Sequence, residues 1–325
     1  MKVAITGALG HLGSAFIRTL SAHQYDLSAV ARSAKVDEVL LLDNMMGERH
    51  GALFDLPPGV PFRFVHADIR DADLESLFKG FDTVIHLAAI TNAAESFDIA
   101  DLVHDVNFNG TVRVAEACRN TRSRLLFLST TSVYGTQREV VDEDCPAFEL
   151  KPQSPYALSK LSAEAHIAAM PGLEFVTVRF GTVFGRSIGM RFHTAINKFC
   201  WQASVGVPIT VWRTALHQKR PYLHVADAVG AMHFLLSWDR FDGGLYNVVT
   251  TNATVNDIVR ILESRIPEVR VELVDSTIMN ELSYTVLADK FKAKGFEFHG
   301  DLRSGVEDTL DLLKGLHSRH ASEPA

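Results

Sequence analysis

The sequence predicts an α/β protein: a doubly wound parallel sheet with a smaller mixed α/β lobe at its C-terminal side. Three observations carry that prediction. Short apolar runs alternate with helix-length amphipathic stretches through the first half of the chain, a glycine-rich turn sits between the first run and the first helix, and the alternation loosens after Phe180. Parallel strands need crossovers long enough for a helix, and such crossovers are right-handed, so this pattern gives a sheet wound on both faces.

Val3–Thr6, Val39–Leu42, Phe62–His66, Thr83–Leu87, Leu125–Ser129 and Phe175–Arg179 read as strands. Most are continuous apolar runs without strict alternation, as expected for strands covered on both faces. Leu12–His23, Ala72–Phe78, Ile99–Arg119 and Tyr156–Met170 read as the intervening helices. Beyond the glycine-rich stretch Gly181–Gly189, a helix is expected over Met190–Val205 and a short strand at Ile209–Trp212. Helices are expected again at Ala226–Leu236, Val255–Ile266 and Val306–Lys314, with residues 317–325 as a flexible tail.

The chain has 325 residues, 47% of them apolar and 22% charged, with a net charge of −7. That composition is ordinary for a globular protein, and the acidic balance speaks against nucleic acid as a partner. The basic stretches Arg119–Arg124 and Arg213–Arg220 are short, suited to small anions or solvated faces. Cys118, Cys145 and Cys200 show neither a disulfide framework nor a metal-ligand spacing, so no metal is expected and a reducing, cytoplasmic setting is. Met1–Ile5 runs straight into the first strand without a leader, and no apolar run reaches the roughly 18 residues a membrane helix needs.

Gly7, Gly10 and Gly13 follow the first strand and open the first helix, in Thr6-Gly7-Ala8-Leu9-Gly10-His11-Leu12-Gly13. In that place glycines give a tight turn, close backbone approach to a pyrophosphate and close helix–strand packing. Asp43, ending Val39–Asp43 ahead of Asn44, is placed to accept both hydroxyls of a cofactor ribose, which selects NAD. A competing reading makes Leu27–Val30 the second strand, with Arg32 meeting the 2′-phosphate of NADP. Asp68, before Ile69 at the end of the third strand, suits either an adenine amino group or a cap of the next turn. Small residues in Leu87-Ala88-Ala89 let a cofactor lie against the backbone after the fourth strand. His86 reads as a packed strand histidine. Residues 1–180, with 221–250 returning, are therefore expected to form the dinucleotide-binding domain, and 181–220 with 251–316 a substrate-binding lobe.

Tyr156 and Lys160 are one helical turn apart, so on a helix the phenol and the ammonium share a face. A cation beside a phenol stabilises the phenolate and lowers a pKa of about 10, which is how tyrosine serves as a base near neutrality. The plain alternative is an amphipathic helix bearing a surface lysine.

With these pieces in order, the chain resembles the extended short-chain dehydrogenase/reductase family, in its NAD-dependent epimerase/dehydratase branch. The resemblance rests on Thr6–Gly13, Leu41–Asn44, Asp68-Ile69, His86–Ala89, Asn107–Thr111, Ser129–Gly135, Tyr156–Lys160 and Tyr246-Asn247. It implies a Rossmann-type sheet with Tyr156 as general acid/base. Lys160 would bind the nicotinamide ribose and lower the tyrosine pKa, and Thr130 would hydrogen-bond the reacting oxygen. It assigns Gly7, Gly10, His11, Leu12 and Gly13 to the cofactor, together with Asp43, Asn44, Asp68, Ile69, Leu87, Ala88, Ala89, Tyr156 and Lys160. It also implies a homodimer paired through the helices Ile99–Arg119 and Tyr156–Met170. Asn107 would tie a helix to the sheet.

The 4,6-dehydratases of this family carry an Asp-Glu pair directly after the catalytic threonine, and here Thr131 and Ser132 stand there. Epimerases need no such acid, so the expected activity is a nucleoside-diphosphate-sugar epimerase working through a transient 4-keto sugar. The rivals are a dehydratase or net dehydrogenase/reductase, and a non-catalytic NAD-binding scaffold. The resemblance places Arg220 on a sugar-nucleotide diphosphate and Thr131 and Thr182 against the substrate. Thr182 replaces an asparagine common in the family, and Ile278–Tyr284 replaces a phosphate loop. Arg186, Arg191, His193 and Lys198 are the candidates to take over anion binding, with Arg191 and Lys198 expected on one helix face; a solvated basic face is the alternative.

Overall fold

The computed structural model describes residues 1–20, 35–135, 138–275 and 283–316. The large sheet starts with β1 (Lys2–Thr6), followed by α1 (His11–Arg18), β2 (Glu38–Asp43), β3 (Phe62–His66), α2 (Leu74–Phe78) and β4 (Thr83–His86). Next come α3 (Ala100–His104), α4 (Gly110–Thr121), β5 (Arg124–Thr130), the short β6 (Val140–Val141), α5 (Pro155–Ala168) and β7 (Phe175–Phe180). The lobe and the returning chain contribute β8 (Thr182–Phe184), α6 (Ala195–Ser204), β9 (Ile209–Trp212), β10 (Lys219–His224), α7 (Val225–Leu236) and β11 (Leu245–Val248). The remaining elements are β12 (Thr251–Thr254), α8 (Val255–Arg265), β13 (Val271–Val274), β14 (Thr285–Val286), α9 (Asp289–Ala293) and α10 (Leu302–Leu312).

Seven parallel strands form the main sheet in the order β11-β7-β5-β4-β1-β2-β3. Strand order reverses between β1 and β4, and the crevice outside the carboxyl ends of those strands is where such sheets bind ligands. Side chains alternate between two cores. Val3 and Ile5 pack with Phe16 and Ile17 of α1 and with Met232 and Leu235 of α7, whereas Ala4, Leu40 and Leu42 face Val114 and Cys118 of α4 and Ile167 of α5. Burial on both faces explains the unbroken apolar runs. The second strand is Glu38–Asp43; Leu27–Val30 and Arg32, with the alternative they carry, lie outside the described residues.

Three expected helices differ, two of them before β9. The span from Ile99 to Arg119 is interrupted by a π-helical turn at Asp105–Asn109 between α3 and α4. There Asn107 turns inward and bonds the Ile90 backbone at 2.8 and 2.9 Å, and Gly110 presses on Ile69 so closely that a Cβ would sit 2.7 Å from its Cδ1. The helix expected over Met190–Val205 starts only at Ala195, because the chain before it is tied down. Gly189 N donates to Ser14 Oγ (2.9 Å), and Asn197 Nδ2 donates to the Arg191 carbonyl (2.9 Å). Arg191 and Lys198 therefore do not share a helix face; Lys198 instead donates to Thr210 Oγ1 (3.1 Å).

β11 is a strand the periodicity did not flag, four residues long and containing the fully buried Asn247. The lobe holds a three-stranded sheet, β12-β10-β8, and the pair β13-β9, with α6, α8 and α10 packed around Ile196, Phe199, Ile258, Leu262 and Val306. α8 starts with a capping box between Thr254 and Asp257. α10 begins at Leu302, four residues earlier than expected, because Asp301 caps Arg303 N and Ser304 N at 2.8 and 3.1 Å.

Candidate active site

One cavity of about 550 Å³ opens over the carboxyl ends of β1, β2, β4 and β5 and runs under the lobe. Every described residue singled out above by number for cofactor, catalysis or substrate binding lines it, apart from Arg186 and Lys198, and Arg32 lies outside the described residues. At one end lies the glycine turn. Gly7 adopts φ +66°, and a Cβ there would stand 2.6 Å from Ala88 N, so the turn rests directly on the backbone after β4. A Cβ on Gly13 would meet Ala8 O at 2.3 Å. Gly10 caps α1 without a side chain, leaving the first helical N–H groups free for an anion. These are the cradles a pyrophosphate requires, and the residues present fit a dinucleotide.

His11 packs on the same turn, its Nδ1 3.2 Å from Ser187 Oγ. Burial, followed by the nearby charges of Arg191 and Arg49, brings its pKa down to about 3, so it is neutral. Asp43 accepts from Leu9 N at 3.0 Å and from Met45 N at 2.9 Å, one bond per oxygen, and a carboxylate retains lone pairs for further donors. Asp68 is more fully engaged. It accepts from Asn44 Nδ2 (2.9 Å) and from Arg70 through N (2.9 Å), Nε (3.0 Å) and Nη2 (3.1 Å). The Arg70 guanidinium above all holds its pKa at about 2. Arg70 also bonds Asp105 (2.9 Å), which ties this end of the cavity to the π turn.

Ser154 caps α5 by accepting from Ala157 N (3.2 Å), and Pro155 fills the first helical position, where no N–H is needed. This start projects Tyr156 and Lys160 into the cavity beneath the end of β5. Burial raises the Tyr156 pKa, opposed first by the Thr130 hydroxyl and then by the Arg191 guanidinium. The expectation was a lowered value. Within the protein the desolvation of the phenol dominates, and the Lys160 ammonium is turned to the Leu128 carbonyl (2.8 Å), over the Phe127 ring at 4.9 Å. Burial pulls Lys160 down to about 8, against the attraction of Glu164. Thr130 accepts from Ser132 N (3.1 Å), which fixes its hydroxyl at the strand end. His86 is enclosed, bonded to Thr6 Oγ1 (2.7 Å) and Thr111 Oγ1 (2.8 Å), and burial takes it to about 3.

Thr131, Thr182 and Arg220 line the far end. Arg220 comes from β10, lies over the Tyr284 ring at 5.8 Å and bonds Gln218 Oε1 (2.9 Å); it does not cap α7, which His224 does. Arg191 reaches across the cavity to the Thr91 hydroxyl and lies 4.0 Å from where a Gly10 Cβ would be. His193 lines the site as well, and so do Arg49, Trp212 and Tyr284, which no motif marked as ligands. Arg49 sits in the loop after β2 and Trp212 at a strand end, where no spacing marks them. Asp43 and Asp68, both beside the glycine turn at the ends of β2 and β3, are the only carboxylates among the described residues lining the cavity.

The profile of the NAD-dependent epimerase/dehydratase family matches residues 3–248. The chain belongs to that family. Over 98% of its length it is 29% identical to an uncharacterized UDP-glucose epimerase of Bacillus subtilis, covering 99% of that protein. The Thermus thermophilus UDP-glucose 4-epimerase in complex with NAD superposes with a TM-score of 0.80 at 27% identity, covering 97% of this chain and 99% of that one. A dTDP-glucose 4,6-dehydratase from Streptomyces venezuelae with NAD bound gives 0.81 at 25% identity and 96% coverage of each chain. As a member of this family the chain is an NAD-dependent enzyme of the epimerase/dehydratase type, on a Rossmann-like sheet.

Proposed function

We propose that the chain is a nucleoside-diphosphate-sugar 4-epimerase that inverts its substrate through a transient 4-keto sugar. One observation carries the choice. Among the described residues, the reacting end of the cavity holds Thr130, Tyr156 and Lys160 but no carboxylate, with Thr131 and Ser132 where elimination of water would need an acid and a base. NAD supplies a hydride acceptor at nicotinamide C4 and a positive ring. Tyr156 takes the proton of the sugar 4-hydroxyl and later returns it, while Thr130 holds the same oxygen. Lys160 would supply positive charge beside the nicotinamide ribose, while the Thr130 hydroxyl and the Arg191 guanidinium favour the phenolate that burial opposes. Asp43 would receive the ribose diol and repel a 2′-phosphate, which favours NAD over NADP. Asp68, Ile69 and Leu87–Ala89 would flank the adenosine and the nicotinamide ribose.

Arg220 and Arg191 are assigned to the substrate diphosphate, beside Thr131 and Thr182. Arg220→Ala should raise KM for a nucleotide sugar about tenfold or more, since a contact to a charged group is worth about 1.5–3 kcal/mol. Steady-state kinetics check this, and an unchanged KM removes the diphosphate assignment. A homodimer is proposed through α3 and α5, around which Phe97, Ile99, Leu102 and Leu158 leave apolar surface exposed. Size-exclusion chromatography with light scattering should return twice the 35.9 kDa chain mass, and Leu158→Glu should shift it toward the monomer. Three free thiols, Cys118, Cys145 and Cys200, support a cytoplasmic setting.

A further inference from the structure

One turn beyond the catalytic pair, on the same face of α5, a buried carboxylate opens a polar cluster with no part in the reaction as written above. Tyr156, Lys160 and Glu164 follow at four-residue spacing on one face of this helix. Lys160 donates to the Leu128 carbonyl (2.8 Å), and the next residue of β5, Ser129, donates its hydroxyl to Glu164 Oε1. Ser129 pairs in register with Arg179 of β7, and Arg179 with Asn247 of β11. Arg179 grips the Glu164 carboxylate with Nε (3.0 and 3.2 Å) and Nη2 (2.6 Å), at 3% exposure for Arg179 and 8% for Glu164. Its guanidinium lies over the Tyr134 ring at 4.8 Å, and the Tyr134 hydroxyl donates to Asn247 Oδ1 (2.8 Å).

A buried ion pair is a poor stabilising device, because well-packed apolar residues of similar volume often serve as well or better. What this pair does distinctively is place a carboxylate one turn from a buried catalytic ammonium. We propose that Glu164, clamped by Arg179, is the positioning residue of Lys160: it ties the lysine turn of α5 to β5 and supplies the buried negative charge that balances the ammonium. The other titratable groups facing Lys160 cannot do this. His86 on β4 is neutral with both ring nitrogens engaged, Tyr156 on α5 is a protonated phenol in this state, and Arg179 on β7 is a cation. Burial already brings the ammonium down to about 8, and Glu164 is what opposes that pull. Without Glu164 the proton is lost at lower pH.

The inference rests on Lys160 being catalytic, but its test does not use turnover. Acetylation of lysine requires the neutral amine, so the pH midpoint of Lys160 labelling by acetic anhydride, read by peptide mass spectrometry, reports its titration directly. Glu164→Gln keeps the shape and should move that midpoint to lower pH by about one pH unit or more, as loss of a buried counter-charge requires. The double variant Glu164→Gln/Arg179→Met removes the Arg179 cation with its partner, serves if the single variant fails to fold, and should move the midpoint in the same direction by a smaller amount. A folded variant with the wild-type midpoint overturns the proposal, because a merely structural pair would change the melting temperature alone. Failure of the epimerase assignment would leave the labelling result standing.

Discussion

Tyr156→Phe is expected to lower kcat about 10²–10⁴-fold, the usual contribution of a positioned acid/base group, while NAD stays bound. The phenol hydroxyl is the group beneath the end of β5 that can exchange a proton with a substrate alcohol, and phenylalanine keeps the ring without it. Thr130, Lys160 and the glycine turn are untouched, so cofactor retention should match the wild type. Single-turnover kinetics and cofactor content of the purified variant measure both quantities. Full activity in Tyr156→Phe would remove the mechanism.

Gly13→Ala is the second large effect, and it acts on cofactor and fold together. An alanine Cβ would lie 2.3 Å from the Ala8 carbonyl oxygen, a backbone atom that cannot swing away. α1 must then shift off the glycine turn, where Phe16 and Ile17 pack into the core beside Val3 and Ile5. Overpacking of this kind costs about 1–3 kcal/mol, and the displaced helix no longer aims its first N–H groups at the pyrophosphate. The variant should melt lower and emerge from purification without NAD. Wild-type melting and cofactor content would show that the turn tolerates a side chain.

Much of the sheet was legible because its signals are local. A strand buried on both faces reads as an unbroken apolar run, and Gly7, Gly10 and Gly13 stand between such a run and a helix. Asp43 was found because an acid closes the run that became β2. What sequence missed depends on partners distant in the chain. β11 is stabilised by pairing with β7, and its Asn247 by Tyr134 and by the Leu287 carbonyl, none of which periodicity can register. Arg191 entered the site through Gly189 packing on the glycine turn, not through a helix face. The Tyr156 pKa goes the other way because burial, a property of the folded cavity, outweighs the Thr130 hydroxyl and the Arg191 guanidinium that oppose it.

The central claim is that a hydride leaves C4 of a nucleotide sugar and returns to the same carbon. The direct measurement is incubation with UDP-hexose deuterated at C4, with no cofactor added, followed by NMR of the product. The account predicts inversion at C4 with the deuterium retained on that carbon and no accumulation of reduced cofactor. Deuterium appearing at C6 of a 4-keto-6-deoxy product, or turnover that requires stoichiometric NAD, would contradict it.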